Sequence, residues 1–130
     1  MSDAVVESLS LCEEDLSQPV YDRFFAASAS GRELMGHADE YMRGRMLQQV
    51  FELFTLDDAE ADDYLAWEVD NHIASYGVHA DMYSDFFDAL QVSVKESLGT
   101  AWTAEFDAAW SARIESLLEK IAVAEANLAR

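Results

Sequence analysis

The sequence predicts an all-α chain, and three observations carry that expectation. Apolar residues recur at three- and four-residue spacing along nearly the whole length, as they do on one face of a helix. The two-residue alternation of a half-buried strand is nowhere sustained. One proline and five glycines in 130 residues leave few breakers, which favours long helices over many short strands.

Taken in order, Val5, Leu9, Cys12 and Leu16 form the first helical stripe. Ser17 and Pro19 mark the next start, because a proline in a first turn lacks an N–H that would have no helical partner there. VYDRFFAA is the second helix, and SASGRELMG is expected to be a corner with at most a short helical turn. EYMRGRMLQQVFELF is the third long helix, with Met42, Met46, Val50 and Phe54 in register. Gly44 inside it costs about 1 kcal/mol relative to alanine, so it is expected to mark the close approach of another helix. TLDDAEADDYLAWEVDNHIASYG follows. Its acidic start suits the positive end of a helix dipole, and Gly77 suits the position just past the last turn. Tyr83, Phe86, Leu90, Val94 and Leu98 stripe the next helix, which Gly99 closes. Phe106, Trp110, Ile114, Leu117, Ile121, Ala124 and Leu128 give the last helix the cleanest pattern of all.

A chain of this length is most simply one domain, 1–130, and long enough to bury a core with room for a ligand. Hydrophobic residues make up 51% of it, too many for a disordered chain. Its 26 acidic residues against 8 basic ones give a net charge of −18. Nucleic acid and anionic membrane surfaces are therefore not expected partners, since both call for a basic footprint. The charge serves solubility, or docking to a basic partner. Cys12 stands alone, so neither an intramolecular disulfide nor a cysteine-based metal site forms. MSDAVVESLS has no basic start and no long apolar run, so it is not a signal peptide, and no segment is long enough to span a bilayer. A cytoplasmic location is expected.

The stretch DNHIASYGVHADMY raises the functional question. His72 near a helix C-terminus has a structural explanation, because its imidazolium suits the negative end of the dipole. Zinc is poorly supported, since His72 and His79 have no cysteine partner and no HExxH-type neighbour. Neither a glycine-rich phosphate loop nor a GxSxG elbow is present.

From VYDRFFAA to IAVAEANL the chain resembles the globin family, in particular bacterial single-domain globins and the heme domain of flavohemoglobins. HIASYGVHADMYSDFFDALQVSVKESLGTAWTAEFDAAW is similar to the globin proximal histidine, the helix exit and the last two helices. The resemblance implies a globin fold, a helical sandwich around a heme pocket, holding one heme b (iron protoporphyrin IX). It places His72 as the iron ligand and Val78 as a small aliphatic against the heme. Tyr83 and Glu125 fall where a tyrosine and a glutamate complete a hydrogen-bonded set with the proximal histidine, a relay that raises imidazole basicity. Glu125 reads equally as a solvent-facing residue of an amphipathic helix. Between His72 and Tyr83 this chain is one residue longer than the family pattern.

On the distal side the resemblance matches Tyr21 to a tyrosine whose hydroxyl reaches the bound ligand; read alone, Tyr21 is a core tyrosine with its tip at the surface. The ligand-contact position of the distal helix falls at Arg43, with Met42 as the alternative register and Leu47 as an apolar wall. Phe86 and Leu90 are expected to line the cofactor from the following helix. Arg43, His79 or His37 pairs with a propionate. Two positions depart from the family. Met35, or else Leu34, stands where globins carry a phenylalanine against the porphyrin, and Glu68 replaces a proximal leucine.

The implied function is reversible binding of O2, with NO and CO as competing ligands. NO dioxygenase or peroxidase-like side activity would need an external reductase, because no reductase module is present in these residues. The alternative is a heme-free globin-fold regulatory or sensor protein. The oligomeric state is not legible.

Overall fold

The computed structural model describes residues 4–12, 15–35, 40–55, 60–61, 63–64 and 80–128. These form α1 (Ala4–Leu11), α2 (Ser17–Ala27), α3 (Ala29–Met35), α4 (Glu40–Thr55), α5 (Ala80–Leu98) and α6 (Ala104–Leu128), with a 3-10 turn, Gly99–Ala101, joining the last two. Residues 60, 61, 63 and 64 are helical as well, and no strand occurs among the described residues. None of these helices is long and apolar enough to cross a membrane.

The expected helix ends come with their chemistry, and one element differs from expectation. α2 starts at Ser17 with Pro19 in its first turn, and the Ser17 N–H donates to the Asp15 carboxylate at 2.9 Å. That bond holds the Asp15 carboxyl below the ordinary range. ASGRELM is a helix of about two turns, longer than the short turn expected of this corner. Ser28 explains it: its Oγ accepts the Gly31 N–H at 2.9 Å, an N-cap on α3, while its own N–H donates to the Phe24 carbonyl and closes α2. Thr103 caps α6 in the same way, accepting the Phe106 N–H at 3.1 Å. α5 ends where Gly99 turns to a φ of +54°, a conformation that glycine adopts without strain.

The buried residues of α1, α2, α4, α5 and α6 form one apolar cluster. α2 lies mainly along α5, α6 packs on both α5 and α1, and α4 touches α1 and α2. Trp110, Phe54 and Phe87 meet at its centre, with ring centroids 5.1 Å (Phe54–Trp110) and 5.2 Å (Phe54–Phe87) apart. Against the tryptophan sits Ser8, wholly buried on α1; its hydroxyl accepts from Trp110 Nε1 at 2.7 Å and donates to the Val5 carbonyl at 2.7 Å. This bond ties the first described helix to the last. At the C-terminal end of α4, Arg113 of α6 donates to the Phe54 carbonyl, placing a cation at the negative end of that helix.

Among the described residues the close approach is at Gly31 and not at Gly44. A Cβ added at Gly44 would meet none of them within 4 Å, whereas one at Gly31 would lie 2.3 Å from Cζ of Phe24. The small residue therefore lets α3 fold back onto α2. The buried face of α4 is also turned from the expected register: Leu47, Leu53 and Phe54 are buried, Met46 and Val50 partly so, and Met42 is 53% exposed.

Candidate functional site

The candidate site lies where α2, α4 and α5 converge. Tyr21 is on the face of α2 that packs against α5, because Val20, Tyr21 and Phe24 are its buried positions. Arg23, on the same helix, donates to the Ser93 hydroxyl and pairs with Glu96 of α5, and so fixes how α2 sits on α5. Tyr21 is 2% exposed, and its ring meets Phe86 of α5 edge-on at 5.5 Å and Phe25 at 5.8 Å. Phe86 in turn meets Phe24 edge-on at 5.1 Å.

From α4 comes Arg43. Its main-chain carbonyl accepts the Tyr21 hydroxyl proton at 2.9 Å. Its guanidinium carbon lies 5.0 Å from the centre of the Phe25 ring and 5.7 Å from that of Tyr21. A cation over two aromatic faces is held electrostatically without leaving water altogether. Burial pushes the Tyr21 phenol up to about 12, against the opposing pull of the Arg43 charge. The phenol is therefore a neutral donor and acceptor throughout the physiological range. One turn along α4 from Arg43, Leu47 is buried, and so are Phe86 and Leu90 on α5. The structure thus brings Arg43 and Phe86 against Tyr21, with Leu47 in the same buried cluster, while Met42 is exposed.

Other expected site residues fall differently. Tyr83 is half-buried, with its ring 6.2 Å from Phe87, and Glu125 is half-buried near the end of α6, a helix that packs on α5. His72, Val78 and His79 lie outside the described residues, as do His37, Glu68 and Gly77. Met35 is the last residue of α3, and its side chain and that of Leu34 also lie outside what is described. Among the described residues no group of three His, Cys, Asp or Glu is arranged to hold a metal ion. Phe25 was not foreseen as part of the site. Its spacing of four from Tyr21 on one helix was the signal, since such residues are neighbours on the surface of a helix.

Helices of one apolar cluster that cross at a buried phenol and a cation, with no strand among the described residues, define an all-α protein. The globin family model matches residues 18–121, and the chain belongs to the globin family. No curated protein matches the chain. Globins bind heme and, through it, small gas ligands such as O2, and family membership assigns that general function here. The chemistry of the described residues fits the group. Leu47, Phe86 and Leu90 are buried apolar side chains of the kind a porphyrin packs against, and the Tyr21 hydroxyl and Arg43 guanidinium are the polar groups beside them.

Proposed function

We propose that this chain forms one globin domain over residues 1–130, of the bacterial single-domain or flavohemoglobin heme-domain type, and binds heme b through His72. Its ligands are O2 and, in competition, NO and CO. The observation that carries this reading is the meeting of a buried tyrosine and an arginine between α2 and α4 of a globin. Heme b supplies an iron that binds diatomic gases reversibly and exchanges electrons with a donor. The protein supplies orientation and polarity.

In this reading His72 would hold the iron, Val78 and Met35 would pack against the ring, and Phe86, Leu90 and Leu47 would keep water from it. Arg43 or His79 pairs with a propionate when it is not facing the ligand. Tyr83 and Glu125 hold the proton on the far nitrogen of His72, which raises the basicity of the ligating one. An electron-rich site of this kind also supports NO dioxygenase or peroxidase-like chemistry when an external reductase delivers electrons. The setting is cytoplasmic.

Titration with hemin tests the reading. The wild-type protein is expected to take up one equivalent and develop a Soret band. His72→Ala is expected to lose specific uptake, or to hold a heme that free imidazole restores. His79→Ala should alter affinity only slightly. A wild-type protein that stays colourless would be a heme-free globin-fold regulator, and an unchanged ferrous spectrum in His72→Ala would remove His72 from the axial position.

A further inference from the structure

α4 buries one face, with Leu47, Leu53 and Phe54, and exposes the opposite one, with Tyr41, Arg45, Gln48, Glu52 and Thr55. The exposed residues follow one another at spacings of four and three, so they form one continuous seam along the helix. Tyr41 is 74% exposed, and the Arg45 guanidinium carbon lies 5.9 Å from the centre of its ring. Arg45 makes no ion pair among the described residues. In a chain of net charge −18 this seam is electrically balanced, with an arginine toward its N-terminal end and a glutamate toward its C-terminal end. On α6, by contrast, the exposed charges among the described residues are Glu105, Glu115 and Glu119, all negative.

We propose that the outer seam of α4 is the surface through which two copies of this chain associate, antiparallel about a twofold axis at Gln48. The register follows from the order of the residues. An antiparallel pair centred on Gln48 sets Tyr41 opposite Thr55 of the second copy and Arg45 within one residue of Glu52 of the second copy, twice over by symmetry. Contact through α6 sets carboxylate against carboxylate, whereas the α4 seam meets its own copy with opposite charges. Tyrosine and arginine are also the side chains enriched where protein surfaces meet. A helix of 16 residues is about 24 Å long, and one face of it buries less than the roughly 800 Å² per partner of a standard interface. The dimer is therefore weak and forms at high protein concentration. It needs no heme.

Sedimentation velocity of the full chain over a range of concentrations tests the contact. Wild type is expected to pass reversibly from monomer to dimer. Glu52→Arg makes the chain less negative and so eases the long-range repulsion between copies, but it faces Arg45 of the second copy. It is expected to weaken dimerisation about tenfold, because each substitution acts twice across a twofold axis. Arg45→Glu is expected to weaken it at least as much. Arg45→Glu combined with Glu52→Arg keeps the net charge and restores the opposite pairing, so it should dimerise within about threefold of wild type. Both positions are exposed, and far-UV circular dichroism should show the same helix content in all three variants. A wild-type chain that is monomeric at every concentration overturns the inference. So does a Glu52→Arg variant that associates as well as wild type, which leaves net charge alone in control. A double variant as weak as the single ones overturns it too, since the two residues then do not pair.

Discussion

Two buried hydroxyls, Ser8 and Tyr21, sit at opposite contacts of the helix cluster and are used differently. Ser8 donates to Val5 and accepts from Trp110, so both of its roles are taken by the protein. Tyr21 donates to the Arg43 carbonyl, beside the Arg43 guanidinium. The first hydroxyl is closed and holds α1 to α6. The second is half-used among the described residues and holds α2 to α4. A buried polar atom whose capacity is fully taken by the chain is a structural element, whereas one with capacity to spare, among apolar walls and beside a cation, is a candidate for contact with a ligand.

The largest effect expected at the closed end is that of Trp110→Ala. The side chain is wholly buried between Phe54 and Ser8, and its loss should cost about 3 to 5 kcal/mol in urea unfolding. A cost below 1 kcal/mol would mean that the tryptophan is not at the centre of the core. Ser8→Ala comes next, because it leaves the indole N–H buried without its acceptor. About 1 to 3 kcal/mol should be lost, and Trp110→Phe in the Ser8→Ala background should recover part of that difference relative to simple addition. Strictly additive losses would break the pairing.

At the half-used end the effect on stability is smaller. Tyr21→Phe removes a bond to a carbonyl that the α4 helix itself also engages, so about 0.5 to 1.5 kcal/mol is expected near neutral pH. The pH dependence sharpens the contrast. The Tyr21 phenol has its pKa raised by burial from 10.0 to about 12, so the folded state holds this proton more tightly than the unfolded state. Its contribution is fully present below pH 10 and is lost as pH rises through about 12. Alkaline unfolding should therefore be less steep in Tyr21→Phe than in wild type, and identical profiles would place the phenol in water. The smallest effect is assigned to Glu96→Gln. Its carboxylate is exposed where it meets Arg23, and such a surface pair contributes under about 1 kcal/mol, less at high salt.

The sequence by itself determined the all-α class, the stripes of α5 and α6 and the stop at Gly99, because helical period, capping and glycine conformation act within a few residues. The stripe of α6 was legible for that reason, and Phe106, Trp110, Ile114, Leu117 and Ile121 are buried. Resemblance to globins pointed to Tyr21, Arg43 and Phe86 together, and the structure places Tyr21 against the other two. Their helical periodicity alone would have left Tyr21 as a core residue. Tertiary packing alone decided that the close approach is at Gly31, that α4 turns Met42 outward, that Ser8 is an acceptor for Trp110, and that the Tyr21 proton goes to Arg43. Each of these depends on which helix lies opposite, and a residue 22 or 102 positions away in the chain leaves no local signature. A local pattern names the face of a helix; the partner across the contact assigns each polar atom on that face its role.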